Sequence, residues 1–269
     1  VQKCVSPPSL DEPKIVISDT VQDSIINQIR EQEIPAVMFG MGEEPLLFKN
    51  FVSFVRKIAD AGVMDIFLFT NGLLMNEAIA TALIDLPITR VYFSIDAATP
   101  ETFKQVRGKD ELERVELNIK NFLKIKRIKG SKLPITRVSF CLTEQNKHEK
   151  EAFIHKWQTL VDHVDIQTVH DFSRVTEMSK LDPQELFRSG DQNVEGAYCG
   201  QPWEKLTIWA NGDVSPCCTF HGKNLIIGNV NFQTINELWN NEKINLVRKQ
   251  LSSGKLNAVC HECLSKRGI

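Results

Sequence analysis

The sequence predicts an α/β protein in which a parallel sheet, with helices outside it, precedes a small cysteine-rich C-terminal domain. Two observations lead to this prediction. Between residues 15 and 169, short β-rich runs alternate with longer helical patterns, an order typical of a parallel sheet that is either barrel-like or doubly wound. Five of the seven cysteines lie in residues 199–269, where they suit a local metal site better than a set of distributed disulfides.

The predicted elements of the larger region follow one another in a regular order. Asn76 and Thr99-Pro100 are suited to helix starts, and Gly62 and Gly130 are suited to helix ends. The helical patterns occupy residues 20–31, 50–61, 76–86, 111–129 and 148–161, and the strand patterns occupy residues 36–40, 65–70, 90–95, 136–142 and 164–169.

The C-terminal region has a different pattern. Residues 171–196 are more polar and irregular, and we interpret them as a bridge. Residues 205–208 and 213–215 form a predicted hairpin that turns at Asn211-Gly212, and residues 234–239 and 243–251 are predicted helices. We therefore predict a barrel domain at residues 1–180 and a cysteine-rich domain at residues 181–269.

Composition and charge exclude some classes of function. A hydrophobic content of 42% and a charged content of 25% are ordinary for a soluble globular protein. The formal net charge of −2 gives no electrostatic basis for binding nucleic acid or an anionic membrane. No apolar run approaches the roughly 20 residues that span a bilayer. The clustering of the cysteines favours a reducing cytoplasm.

Four cysteines form a metal-ligand pattern of Cys-x17-Cys, a long gap and Cys-x2-Cys, namely Cys199, Cys217, Cys260 and Cys263. Four thiolates are what a [4Fe–4S] cluster or a structural zinc ion requires, so both remain open at this point. Cys218 is an alternative to Cys217, although the spacing from Gly212 favours Cys217. Cys141 lies within a predicted strand, where a small buried thiol is expected.

These cysteines are surrounded by the segments Pro202-Trp203, Asn211-Gly212, Pro216-Cys217-Cys218, Gly228-Asn229-Val230 and Leu238-Trp239-Asn240. Together the segments resemble the SPASM/twitch extension of radical S-adenosylmethionine (radical SAM) enzymes. The resemblance implies that the four cysteines hold one auxiliary [4Fe–4S] cluster, as in the shorter twitch form. Because four thiolates ligate such a cluster fully, it implies electron transfer rather than chelation of a substrate.

Three segments at the ends of predicted strands resemble the parts of radical SAM barrels that bind S-adenosylmethionine (SAM). Residues 40–45 (Gly-Met-Gly-Glu-Glu-Pro) resemble the Gly-Gly-Glu-Pro motif that binds the amino group of SAM, and residues 69–72 and 93–97 follow the next two strands. Position favours Glu43 as the contact, while Glu44, next to the proline, stays open. The resemblance implies that the cofactor is bound by Gly40, Gly42, Glu43 or Glu44, Asn71, Ser94, Asp96 and Arg107.

Each of these segments also has a purely structural interpretation. A glycine-rich loop or Asn71-Gly72 can be only a turn, Asp96 can be a helix cap, and Arg107 can be a solvated charge. Their shared order on consecutive strand ends is what favours cofactor binding.

The family's Cys-x3-Cys-x2-Cys motif is incomplete in this sequence. In the family, its three thiolates hold a [4Fe–4S] cluster whose fourth iron binds SAM, and one electron then yields methionine and a 5′-deoxyadenosyl radical. Cys4 is the candidate ligand here, but if it is the first of the three, Pro8 and Asp11 occupy the other positions. We expect residues before Val1 or near Val5 to complete the site. An altered site, a natural pseudoenzyme and an ordinary thiol at Cys4 are the alternatives.

The resemblance identifies the sequence as a radical SAM oxidoreductase with a partial (β/α)6 TIM-like barrel and a small C-terminal Fe–S domain. We expect it to dehydrogenate a carbinol or amino-sugar-like small molecule; epimerisation and peptide modification are alternatives, as is a non-catalytic zinc- or cluster-binding protein with a degenerate barrel site. His170 and Asp171 follow the last strand and Tyr198 precedes Cys199, so these three are candidate substrate contacts. The implied partners are a small-molecule or peptide substrate and a reductant such as flavodoxin or ferredoxin.

Overall fold

A computed structural model describes residues 16–40, 43–168, 175–190 and 198–265. These residues fall into two compact units. The first unit contains residues 29–168, and the second contains residues 16–28 together with the described residues from 175 onward. The domain boundary between residues 180 and 181 stays a prediction.

The first unit is built on a sheet of five parallel strands that lie side by side in chain order. Every neighbouring pair is parallel, which confirms the predicted α/β class and all five predicted strands. In chain order the helices and strands up to the end of this unit are α1 (Asp19–Glu31), β1 (Ala36–Phe39), α2 (Phe51–Asp60), β2 (Asp65–Thr70), α3 (Glu77–Asp85), β3 (Arg90–Ser94), α4 (Pro100–Arg107), α5 (Leu112–Ile128), β4 (Ile135–Leu142), α6 (Lys150–Trp157) and β5 (His163–Thr168).

The alternation of side chains along each strand decides which face of the sheet the helices cover. In β3, Val91 and Phe93 are fully buried, whereas Arg90 and Tyr92, which alternate with them, are half-buried. The Phe93 ring packs edge-on against Phe122 of α5, with ring centroids 5.7 Å apart. One face of the sheet therefore packs on helices, and the other face carries polar and aromatic side chains.

The loops at the carboxyl ends of the strands all lie at one edge of the sheet, because the strands are parallel. Polar caps fix where the following helices begin. Thr99 accepts a hydrogen bond from the Thr102 backbone N–H at the start of α4, and Gly108 ends that helix in the left-handed conformation at φ 77°. The residues predicted to bind the cofactor follow β1, β2 and β3 at this edge.

The second unit contains a small antiparallel sheet surrounded by short helices. The predicted hairpin and the two predicted helices are present, and the structure adds a third short strand, a helix that carries Cys260 and Cys263, and three helices of four or five residues. No helix among the described residues has both the length and the apolar character needed to cross a lipid bilayer. The elements are α7 (Val175–Met178), α8 (Pro183–Phe187), α9 (Gln201–Glu204), β6 (Thr207–Ile208), β7 (Asp213–Ser215), β8 (Gly228–Asn229), α10 (Ile235–Asn240), α11 (Glu242–Ser253) and α12 (Ala258–Ser265).

A compact apolar core holds α12 in place in the second unit. It joins side chains from α7, α8, α11 and α12, and Cys260 packs against it. The first part of α1 also belongs to this unit, since Ser24 Oγ donates a hydrogen bond of 2.9 Å to the Val230 carbonyl. The buried members of the core are Met178, Leu186, Leu225, Val247 and Val259.

Candidate cofactor and metal sites

Glu44, rather than Glu43, is built into the edge of the sheet. One carboxylate oxygen of Glu44 accepts hydrogen bonds from Thr70 Oγ1 at 2.8 Å and from the Leu46 backbone N–H at 3.2 Å. The other accepts from the Asn71 backbone N–H at 2.7 Å. The side chain of Glu43 is exposed. The geometry therefore favours Glu44 as the acidic residue of this site, whereas position in the sequence favours Glu43.

Burial raises the pKa of Glu44 above its ordinary value, although the hydrogen bonds from Asn71, Thr70 and Leu46 act in the opposite direction. The positive charge of Arg107 also lowers this pKa, so the two side chains lie within electrostatic reach of each other. The structure thus brings together two residues from the predicted cofactor set that are far apart in the sequence.

The turn after β2 is fixed by its own side chains and by a residue that the sequence analysis missed. Asn71 Oδ1 accepts from the Leu73 backbone N–H at 2.9 Å, as expected of an asparagine in a turn. Asn118 of α5 donates to the carbonyls of Gly72 and Leu73 at 2.9 and 3.0 Å. The loop that donates to Glu44 is therefore anchored on both sides.

Asp96 and Arg107 form an ion pair in which the carboxylate is buried and the guanidinium side chain is half-buried. Asp96 Oδ2 lies 2.6 Å from Arg107 Nη2, and Asp96 Oδ1 accepts from the Cys141 backbone N–H at 2.7 Å. Asp96 has φ 67°, a left-handed conformation that is uncommon for a residue with a side chain, and Asn146 donates to its carbonyl at 2.9 Å. Asp96 Oδ1 thus has a hydrogen-bond partner, whereas Oδ2 contacts Arg107 only as an ion pair without hydrogen-bond geometry. The first role of Asp96 in this structure is therefore to hold the charge of Arg107 in place.

Arg107 keeps unused donor capacity after pairing with Asp96. Its Nε is buried and has no hydrogen-bond partner among the residues that the structure describes. Buried polar groups of native proteins are nearly always paired, so an orphaned donor at a sheet edge indicates a place for an acceptor. The carboxylate of an amino-acid ligand is one acceptor of the right charge.

The face of the sheet away from the helices carries stacked cationic and aromatic side chains. The guanidinium carbon of Arg137 lies 3.8 Å from the centroid of the Tyr92 ring. Arg137 Nη1 lies 3.2 Å from Asp165 Oδ2 on the neighbouring strand. A polar molecule on this face would meet both a hydrogen-bond donor and an acceptor.

In the second unit, four thiols line one cavity. They belong to Cys199, Cys217, Cys260 and Cys263. Cys218 does not line this cavity; its backbone N–H and its thiol both donate to Gln201 Oε1, at 3.3 and 3.1 Å. The structure therefore separates two adjacent cysteines, one facing the candidate metal site and one tied to α9.

The cavity holds its thiols in an environment that disfavours the free thiolate. Burial raises the pKa of Cys217 to about 12, and the charges of Cys263 and Cys218 contribute in the same direction. Burial also raises the pKa of Cys260, and the charges of Cys217, Cys263 and Cys199 add to the effect. Each of the four thiols interacts electrostatically with at least one other. Such a set is suited to a metal centre, whose positive charge makes thiolates stable.

The arrangement of the ligand candidates bears on the kind of metal centre. No three His, Cys, Asp or Glu side chains within the described ranges are placed to hold a single metal ion. A zinc ion draws four sulfurs to within about 2.3 Å of one point. A four-iron cluster instead spreads its four thiolates around a larger core. Four cysteines around one cavity supply the number of thiolates that a four-iron cluster needs.

Family models identify both regions. A model of the Radical SAM superfamily matches residues 12–156, which are 145 of the 269 residues. The chain belongs to the radical SAM superfamily. A second model, described as the iron-sulfur cluster-binding SPASM domain, matches residues 199–264 and includes all four cysteines of the cavity.

Individual relatives cover the chain to different extents. A "Probable GTP 3′,8-cyclase" of Metallosphaera sedula is 34% identical over 125 residues, which are 44% of this chain and 37% of the relative. The match thus spans little more than a third of that relative's length. Among solved structures, "Native anSMEcpe with bound AdoMet and Kp18Cys peptide" aligns with a TM-score of 0.64 at 14% identity, covering 90% of this chain and 78% of the other. "BtrN in complex with AdoMet and 2-DOIA" aligns with a TM-score of 0.51 at 18% identity, covering 88% and 75%. At these identities the two structures support the fold.

The cofactors of a radical SAM enzyme with a SPASM domain are SAM, the barrel [4Fe–4S] cluster and an auxiliary cluster. The residues of this radical SAM chain fit two of the three. Glu44 and the unused donor of Arg107 suit the charged groups of SAM, and the four cavity thiols suit the auxiliary cluster. Cys4, the candidate ligand of the barrel cluster, lies outside the described residues.

The remaining predicted site residues are placed as follows. Gly42, His170 and Asp171 lie outside the described residues, so their roles stay predictions. Ser94 is half-buried at the end of β3, and Gly40 has φ 97° at the end of β1, where an added Cβ would collide with the Phe69 carbonyl oxygen. Tyr198 is 81% exposed, and its predicted role in substrate contact stays a prediction.

Glu149 is a further buried carboxylate at the sheet edge that the sequence analysis missed. It accepts hydrogen bonds from the Ala98 backbone N–H at 2.7 Å and from Thr102 Oγ1 at 2.8 Å, and also from Thr99. Burial acts to raise the pKa of Glu149, but these hydrogen bonds outweigh it and hold the pKa below its ordinary value. Glu149 thus fixes the start of α4, the helix that carries Arg107. Its partners are about 50 residues away in sequence, so no local signal reveals it.

Gly222 provides a test of the metal cavity. A Cβ at this position would lie 2.6 Å from Cys217 Sγ and 2.7 Å from the Cys217 carbonyl oxygen. We expect Gly222→Ala to displace the Cys217 thiol and to lower the iron and sulfide content of reconstituted protein. Gly254→Ala is the control for backbone strain alone, because Gly254 ends α11 at φ 74° and does not line the cavity. Alanine there strains the backbone without touching Cys217, so the iron content should stay that of the parent. An alanine variant at 222 with the iron content of the parent would contradict the close packing of Gly222 on the ligand.

Proposed function

We propose that this chain is a radical SAM oxidoreductase that dehydrogenates its substrate and passes one electron to the auxiliary cluster. The observation that carries the proposal is the cavity lined by four cysteine thiols. A cluster with a thiolate on every iron has no open coordination position for a substrate. Such a cluster is suited to accepting an electron, and oxidation of a substrate radical is a reaction that needs an acceptor.

SAM is held, in this proposal, through the charged groups of its amino-acid part. A carboxylate has about four lone-pair sites, and Glu44 uses three of them within the protein, which leaves one for the SAM ammonium group. Arg107 retains its Nε–H for the SAM carboxylate. Asp96 and Glu149 act through Arg107 and α4, because they fix the position of that guanidinium group.

The proposed reaction balances as the oxidation of a carbinol to a carbonyl. When bound, SAM with its cluster supplies a 5′-deoxyadenosyl radical, and the auxiliary cluster supplies an electron acceptor. The substrate loses one hydrogen atom from carbon, one electron, and one proton from its hydroxyl group. A C=O bond forms, and 5′-deoxyadenosine and methionine are released in equal amounts.

A hydroxylated small molecule is the proposed substrate class. Arg137 and Asp165, paired on the face of the sheet away from the helices, offer a donor and an acceptor of the kind that hydroxyl or amino groups need. A peptide is the second candidate, because the peptide-bound anSMEcpe structure aligns better than BtrN, with TM-scores of 0.64 and 0.51. GTP belongs in any substrate panel, since curated relatives are named GTP 3′,8-cyclases.

The test is an anaerobic assay of reconstituted protein with reductant and SAM. Cyclitols, amino-cyclitols, GTP and cysteine-containing peptides are supplied one at a time, in H2O and in D2O. We expect one substrate to yield a product two mass units lighter, with one 5′-deoxyadenosine for each product molecule.

Two other results would overturn the proposal. A product that has the mass of the substrate in H2O, but carries one deuterium when the reaction runs in D2O, would indicate epimerisation. No 5′-deoxyadenosine from a chain with both clusters loaded, with or without substrate, would indicate a protein without radical chemistry.

A further inference from the structure

Thr219 lies two residues after Cys217, beside the cavity lined by the four thiols. Its side chain also lines this cavity, and Thr219 Oγ1 is 3.6 Å from Cys217 Sγ. For a contact to sulfur, that distance is within hydrogen-bond range. Either atom can be the donor when Cys217 is a thiol, but only the hydroxyl can donate once Cys217 is a metal-bound thiolate.

The direction of this hydrogen bond is set by the neighbouring turn. Thr219 Oγ1 accepts from the Gly222 backbone N–H at 3.3 Å, because Thr219 caps the 3₁₀ turn Phe220–Asn224. A hydroxyl group has a single proton, and here its oxygen already faces a donor. The proton is therefore free to point at the sulfur of Cys217. The local fold fixes the threonine side chain in the orientation that a donor to this sulfur needs.

The space around the sulfur is too tight for a water molecule to take over this role from the Gly222 side. A Cβ on Gly222 would lie 2.6 Å from Cys217 Sγ, so the Gly222 backbone already packs against the sulfur. The hydroxyl group of Thr219, with Oγ1 3.6 Å from the sulfur, is therefore the side-chain donor that the fold places beside Cys217.

We propose that Thr219 is a positioning residue of the auxiliary cluster, whose hydroxyl group donates a hydrogen bond to the Cys217 thiolate and so raises the reduction potential of that cluster. A hydrogen bond to a ligating sulfur withdraws electron density and stabilises the reduced state, which carries more negative charge. The inference rests on the four-cysteine ligand set and is independent of the substrate proposed above. A higher potential makes the cluster a better acceptor for an electron from an oxidised substrate.

The test compares Thr219→Val with Thr219→Ser in the reconstituted full chain. Valine keeps the shape of threonine but removes the hydroxyl group, whereas serine keeps both the donor and the cap to Gly222. The auxiliary-cluster signal is the EPR signal that Cys217→Ser removes, and its midpoint potential is measured by EPR-monitored redox titration. We expect the one-electron reduction constant to fall about tenfold in the valine variant, a shift of about 59 mV to lower potential. The serine variant should match the parent.

The inference is overturned if a valine variant with full iron content has the parent potential, or if serine shifts the potential as much as valine. Should the valine variant fail to take up iron, deuterium ENDOR of the parent in D2O decides. An exchangeable deuteron that couples to the auxiliary cluster in the parent and in Thr219→Ser, but not in Thr219→Ala, supports the proposal. A deuteron that Thr219→Ala keeps belongs to a backbone N–H and overturns it. The absence of any such deuteron from the parent and from Thr219→Ser also overturns it. Because neither measurement uses a substrate, a failure here is distinct from a failure of the proposed dehydrogenation.

Discussion

Replacing Cys217 by serine is expected to remove one whole cluster from the protein, about four iron and four sulfide per chain. Cys217 lines the cavity with three other thiols, and burial raises its pKa to about 12, so only a bound metal stabilises its thiolate. A serine hydroxyl does not ionise at neutral pH and is a poor ligand for iron. The loss is measured by iron and sulfide analysis and by the visible spectrum after anaerobic reconstitution.

Cys218→Ser is the matched control for this experiment. Cys218 is the next residue in the chain, but its thiol donates to Gln201 Oε1 at 3.1 Å, and serine can make the same hydrogen bond. The control should therefore keep the iron content of the parent. Equal losses of iron from the two variants would mean that the segment containing Cys217 and Cys218 tolerates neither substitution. Iron binding would then not depend specifically on the thiol that lines the cavity. An unchanged iron content in Cys217→Ser would contradict the ligand assignment.

The architecture of the first unit is predictable from the sequence, because its signals are local. In β3 the alternation of Arg90 and Tyr92 with Val91 and Phe93 follows the two-residue period of a strand, and all five predicted strands are present. The sequence analysis missed α12, whose eight residues include Cys260 and Cys263. A short helix of this kind, whose stability depends on packing against α8 and on a metal site, has no clear periodic pattern.

The candidate sites were less predictable, because adjacent residues with the same side chain share nearly the same local signal. Glu43 and Glu44 differ in burial, and only the fold brings Thr70 and Asn71 to Glu44. Spacing favoured Cys217 over Cys218, and the structure places Cys217 at the cavity, but its role as a ligand stays a prediction until iron is measured. Glu149 could not be found from the sequence, since its role depends on contacts across about 50 residues.

A second large effect is expected from Glu44→Gln, which should weaken SAM binding by about tenfold to 100-fold. A hydrogen bond to a charged group contributes about 1.5–3 kcal/mol, and each 1.4 kcal/mol is about tenfold in affinity. Glutamine has no charge for the SAM ammonium group, and its amide NH2 faces backbone N–H groups that now donate to a carboxylate. Equilibrium dialysis of labelled SAM against the reconstituted variant measures the loss.

Two further variants separate binding from structure in this experiment. Glu43→Gln changes an exposed side chain next in the chain and should bind SAM as the parent does. Thr70→Val removes the 2.8 Å hydrogen bond to Glu44 and the 3.1 Å bond that Thr70 Oγ1 accepts from the Gly72 backbone N–H, but it keeps the carboxylate charge. It should therefore lower the thermal midpoint while preserving most of the SAM affinity. If Glu43→Gln loses as much affinity as Glu44→Gln, the ammonium group binds at Glu43, as position in the sequence favours. If Thr70→Val binds SAM as weakly as Glu44→Gln does, Glu44 acts by holding the loop in place. The affinity for SAM then depends on the hydrogen bonds of the loop and not on the carboxylate charge.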